Sequence, residues 1–301
     1  MRRAATYVSL GLVLLLAAFS SALSQQIETV IRSIDGSQPL IRPTRIALSP
    51  SGDRVAVCDQ GGNRIYVIDV DGHSVWSVGI GSTVTRPVLI GFETDNAVLY
   101  YDEQVRTVFR SSESNPDVAD TVVSFPDTIN TGLHFDQIMA VGHGQTGYLA
   151  MDRDKSSMYR LKADWTVDRK LIASGSGKGK LWSPSDFSVD LSGNIVVADE
   201  AGCPVKVFTP EGKPLFCGGW NLNDADRSWT ASAVGMGPGE VIWAADVTNL
   251  SWRLFDRAGI LIAKYPFEQS TMKPNSLVFT PDRRMFIAED NGAVVIMSLP
   301  Q

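Results

Sequence analysis

The chain offers little material for a metal or nucleophile site. Three cysteines and three histidines are spread over 301 residues. No Cys-x-x-Cys occurs, which leaves neither a zinc ribbon nor a thioredoxin-like pair. No G-x-S-x-G elbow presents a serine, and no Ser, His and Asp fall in a context that marks a triad. Runs of like charge are missing, and the formal net charge is −6 at pH 7. That balance argues against nucleic acid, which is held through clustered Lys and Arg. One further signature fails on counting. "SGSGKGKL" ends in Gly179-Lys180, yet a phosphate-cradling loop would need Gly where Ser174 stands and a hydroxyl where Leu181 stands.

What is present is ample apolar material, 44% hydrophobic against 20% charged residues, enough to offset chain entropy. The first 24 residues read as a signal peptide. A basic "MRRAATYVS" precedes the apolar "LGLVLLLAAF" and the small-residue zone "SSALS", with cleavage expected before Gln25. The apolar core is short for a bilayer span, which needs about twenty residues. The expectation is an exported protein, periplasmic or extracellular, with an uncleaved N-terminal anchor as the alternative. Such a compartment permits disulfides. Cys203 and Cys217 flank the turn "TPEGKP" and can approach each other diagonally across a hairpin, leaving Cys58 as a buried thiol.

Residues 25–301 carry an internal repeat of about forty-six residues. A short apolar run closed by an Asp recurs six times, anchored on Asp59, Asp102, Asp152, Asp199, Asp246 and Asp290. Each unit contains four short β-rich runs separated by Gly, Pro or Asp turns, as in "TRIALSP", "RVAVCD", "RIYVID" and "SVWSVG". Six four-stranded units describe an all-β, six-bladed β-propeller in one domain. The last unit lacks its fourth strand, and "QIETVIRSIDG" near the N-terminus has the missing pattern. Pairing the two would close the ring and cover an open sheet edge.

Residues Gly175 to Asp199 follow G-x-G-x-G, an aromatic, x-x-Pro, a strand, then Asp-x-x-Gly-x-(I/V)-x-V-A-Asp. This pattern resembles the NHL repeat, a family of six-bladed propellers. "CDQGGNRIYVID" and "KPNSLVFTPDRRMFIAED" match other parts of the same repeat. The resemblance implies that Gly175, Gly177 and Gly179 make an inter-blade connection, through positive φ or close packing. It also implies that the anchor aspartates accept backbone N–H bonds in turns.

Three functions are open at this level. The first is a non-catalytic scaffold that binds a protein or ligand in the envelope or outside the cell, with no cofactor. Its candidate contacts are Trp182, Trp220 and Trp229, which fall in or beside inter-blade connections. The second is a lactonase-like or lyase-like enzyme using the central channel. Similarity to gluconolactonase-type propellers would assign a divalent cation such as Ca²⁺ to Asn275, Asp199 and Asp290, but "RPTR" stands where that pattern has an acidic residue. His134 and His143 could add zinc ligands, whereas His73 sits in a hairpin turn. The third is a glycan binder. The segment 111–137 interrupts the period and reads either as an insertion on the rim, a docking element, or as an ordinary long loop.

Overall fold

In the computed structural model, residues 26–299 are described, apart from 37, 80–83, 125–132, 134, 141–146 and 219–228. Among these residues the strands form six four-stranded antiparallel sheets, the blades of a ring. The inner strands are Pro43–Leu48, Pro87–Phe92, Gln137–Ala140, Pro184–Val189, Ala231–Met236 and Pro274–Phe279. A short 3₁₀ turn, Pro238–Glu240, is the one helical element among the described residues. No helix among them is long and apolar enough to cross a membrane.

The strands form because their sequences alternate for two buried faces. In blade one, "RVAVCD" over Arg54–Asp59 is buried along almost its whole length, as expected of a central strand covered on both sides. The faces are covered by neighbouring blades. Among the described residues six apolar clusters occur, one per blade boundary; one joins Val57 and Tyr66 of blade one to Phe286 and Ile296 of blade six. Another joins Val196 and Val205 of blade four to Trp229 and Phe255 of blade five. The core is therefore distributed around the ring, and the axis itself is free for polar groups.

Closure follows the sequence expectation. Gln26–Ile31 pairs antiparallel with Ala293–Ser298 and completes blade six, so blade six is built from both ends of the described chain. The segment 111–137 differs from expectation. Asn115–Ser124 is the outer strand of blade two, paired with Thr107–Ser112, and is no irregular insertion. Its polar, weakly patterned sequence hid it because an outer strand has little to bury. Of the three connection glycines, Gly175 alone has positive φ, at 142°. A Cβ on Gly179 would meet the Pro214 ring at 3.1 Å, whereas one on Gly177 would meet nothing.

Candidate functional site

Each second strand ends on the same face of the ring, and there the anchor carboxylates fasten loops. Asp59 accepts the N–H of Arg42 at 2.7 Å and of Ile41 at 3.1 Å. Asp102 takes the N–H of Thr85 at 2.7 Å and of Gln104 at 3.0 Å. Asp199 takes Trp182 N–H at 2.9 Å, Ser183 N–H at 2.8 Å, Ala201 N–H at 3.1 Å and the Lys206 ammonium at 2.6 Å. Asp246 accepts Asn249 N–H at 2.9 Å and the Arg253 Nε–H at 2.7 Å, and Asp152 accepts Lys155 N–H at 2.9 Å. Short carboxylates suit this work because they reach turn N–H groups that no strand partner satisfies.

Blade six departs from the expected anchor. Pro274 pairs with Glu289 as Pro43 pairs with Asp59 and Pro184 with Asp199. Glu289 is buried at 3% exposure, and Asp290 is one residue beyond it with a half-exposed side chain. The sixth anchor is thus Glu289. "AEDN" offers two acids in succession, and only the strand register separates them.

The shift has a structural meaning. The residue following the anchor turns toward the axis, so Gln60, Glu103, Arg153, Glu200 and Asp290 all line one cavity of about 270 Å³ at the mouth of the channel. Residues in or just before the inner strands complete it, among them Arg42, Arg45, Arg86, Asp136 and Gln137, and all six blades contribute. Four arginines face four carboxylates around this mouth. Arg86 pairs with Glu103 at 3.0 Å, and Arg42 lies 3.9 Å from Asp290.

The cavity floor is a cross-channel network. Arg45 of blade one donates to Asp186 of blade four at 3.2 Å. The same oxygen accepts Gln137 Nε2 of blade three at 3.0 Å. The other Asp186 oxygen accepts Val234 N–H of blade five at 3.0 Å. Burial pushes Asp186 above and Arg45 below their ordinary pKa values, while their mutual attraction opposes both shifts.

Asn275 lines this cavity, but its amide is also a stitch. Its Nδ2 donates to the Pro43 carbonyl of blade one at 3.0 Å. Ser232 does the same to Pro274 O at 2.7 Å, and Ser185 to Ala231 O at 2.8 Å. Each is the second residue of an inner strand holding the first residue of the next. Asp199 does not line the cavity, and both of its oxygens are already engaged. Asn275, Asp199 and Asp290 are therefore not brought together as a ligand set. Among the described residues, one group of three His, Cys, Asp or Glu is close enough to hold a metal ion: Asp69, Asp71 and His73. These residues form a hairpin turn in which Asp69 accepts the N–H of His73 at 2.8 Å and of Asp71 at 3.0 Å. His134 and His143 lie outside the described residues.

The tryptophans divide. Trp182 is on the anchor face with 56% of its surface exposed, its N–H held by Asp199. Ile41, Val105 and Leu250 are exposed on loops of the same face. Trp229 is instead buried between blades four and five, stacked on Phe255 at 6.0 Å with the Arg253 guanidinium 4.5 Å above its ring. It packs the core, because a connection residue pointing sideways meets the neighbouring blade. Trp220 lies outside the described residues. Cys203 and Cys217 form a disulfide. Cys58 is buried, and desolvation pushes its thiol up to about 12. Of the tryptophans that the sequence singled out, Trp182 is exposed on the anchor face. It did not reveal Arg45, Asp186 and Gln137, which are far apart in sequence and meet only across the closed ring.

No protein-family model and no curated protein matches the chain. Solved structures do. A streptogramin B lyase superposes with a TM-score of 0.65 at 12% identity, over 92% of this chain and 98% of that one. Virginiamycin B lyase from Staphylococcus aureus gives a TM-score of 0.61 at 11% identity, over 92% of this chain and 100% of that one. The WD40 β-propeller domain of Doa1 also gives 0.61 at 11% identity, over 92% of this chain and 97% of that one. At this identity the likeness is one of fold, and the fold is shared by an enzyme and by a WD40 domain.

Proposed function

We propose that this is an exported NHL-type propeller that binds a ligand or partner at the anchor face and does not catalyse. The observation that carries the reading is the axial cavity, to which all six blades contribute and whose mouth balances four arginines against four carboxylates. Of its carboxylates, Glu103 pairs with Arg86, Asp290 lies near Arg42 and Asp136 accepts the Arg153 N–H, and Trp182, Ile41, Val105 and Leu250 give the surrounding face apolar contacts. Rigid rings that project loops around a central depression are suited to recognition. Partner capture from envelope fractions, wild type against Trp182→Ala with Arg153→Glu, tests it. Capture that is unchanged in the double variant would refute the location.

A channel enzyme is the second reading. It is favoured by the axial placement of the cavity and by the lyases among the fold neighbours, one of them solved as an inactive variant with quinupristin. Turnover of quinupristin or of a lactone panel, lost in Asn275→Ala, would replace the binding reading with this one.

A further inference from the structure

Two buried groups at the floor of the channel have unused hydrogen-bonding capacity. Arg45 is 4% exposed and lines the cavity. A guanidinium carries five N–H donors; among the described residues the hydrogen bond from Arg45 is the single one to Asp186. Gln137 is 7% exposed and lines the same cavity. Its Nε2 is spent on Asp186, and its buried Oε1 has no partner. An unmet buried acceptor costs about 1–3 kcal/mol, and an under-used buried guanidinium is likewise unusual.

Their surroundings say what would complete them. Asp186 cannot, because one oxygen is shared by Arg45 and Gln137 and the other is taken by Val234 N–H. A planar guanidinium with free donors takes a carboxylate or phosphate in two parallel bonds. The mouth has four arginines balanced by four acids, so no net positive field favours a dianion such as phosphate. Gln137 Oε1 needs an O–H or N–H donor. Because Arg45 and Gln137 converge on one oxygen of Asp186, the two complementary groups of a ligand must be close neighbours. A cavity of about 270 Å³ falls below the roughly 300–1,000 Å³ of sites for drug-sized molecules.

We propose that the channel floor is a binding site for a compact carboxylic acid with a hydrogen-bond donor on the adjacent carbon, an α-hydroxy or α-amino acid. The carboxylate lies on Arg45 and the adjacent donor faces Gln137 Oε1. This assignment rests on the reading of the axial cavity as the binding site, and it adds the ligand class.

Calorimetry and thermal shift on the mature protein test it with lactate and alanine as probes. Propionate, which lacks the donor, and methyl lactate, which lacks the charge, serve as controls. The expected result is at least tenfold tighter binding of lactate or alanine than of either control. The tighter of the two identifies the donor as hydroxyl or ammonium. Gln137→Met should bring the acid down to the level of propionate while the protein still folds. Arg45→Lys should weaken all carboxylates tenfold; if it does not fold, the ligand series and Gln137→Met decide alone. Equal binding of acid and ester, or no binding of lactate and alanine, overturns the assignment. Partner capture with the Trp182→Ala, Arg153→Glu variant separates the failures. If capture is still lost there, the face stands and the ligand class falls; if capture also survives, both fall.

Discussion

Replacing Asp199 by Ala should cost the protein stability and unfasten its anchor face, because this carboxylate is a fully buried junction. It holds three backbone N–H groups and the ammonium of Lys206, itself 1% exposed. After truncation Lys206 retains only its bond to Lys180 O at 2.9 Å. Removing one partner of a buried ion pair costs about 3–5 kcal/mol. For a protein of this size about 1 kcal/mol moves Tm by roughly 2–4 °C, so a loss of about 10 °C is expected. Asp246 has the same kind of partner in Arg253, at 2.7 Å, and should behave alike. Asp102 fastens Thr85 and Gln104 and has no ion-pair partner among the described residues, so Asp102→Ala should cost about 1–3 kcal/mol. Lys206→Met should cost less than Asp199→Ala, because the carboxylate left behind keeps its three backbone donors. Urea denaturation followed by tryptophan fluorescence gives all four values, and Trp182, whose N–H is released, reports on the loop. A melting point within about 2 °C of wild type for Asp199→Ala, or equal losses for Asp102 and Asp199, would refute the fastener argument.

Three other outcomes follow from the geometry. Trp229→Ala should lose about 3–5 kcal/mol as a buried aromatic, while Trp182→Ala should melt like wild type, as scanning calorimetry will show. Reducing the Cys203–Cys217 bond, which closes a loop of sequence separation 14, should lower stability by about 3 kcal/mol; thiol labelling of the folded, oxidised protein should leave Cys58 unmodified. Glu289 has its pKa raised by burial from 4.5, with the Asn291 amide pulling the other way, and its Oε1 has no hydrogen-bond partner. Its contribution is present below the ordinary glutamate pKa and is lost as pH rises past the raised value. Glu289→Gln should therefore raise Tm by a few degrees at pH 7, with the gain disappearing near pH 4 in a pH series of melts.

The period of the repeat was legible because each blade must alternate apolar residues to bury two faces, and because turns between strands demand Gly, Pro and Asp. Ring closure was legible for the same reason: "QIETVI" had a strand pattern and no blade of its own, and Ala293–Ser298 lacked a neighbour. Five anchors could be read because an aspartate after a buried strand has turn N–H groups within reach. The sixth could not, since "AED" leaves Glu289 and Asp290 equivalent until pairing with Pro274 sets the register. Trp182 and Trp229 look alike in sequence, both beside connections, and only packing exposes one and buries the other. The channel floor was decided wholly by tertiary structure. Arg45, Gln137 and Asp186 come from three blades separated by 49 to 141 residues, and no local pattern marks them. Local sequence fixes what a strand buries on its own sheet; what meets at the axis depends on closing all six sheets into one ring.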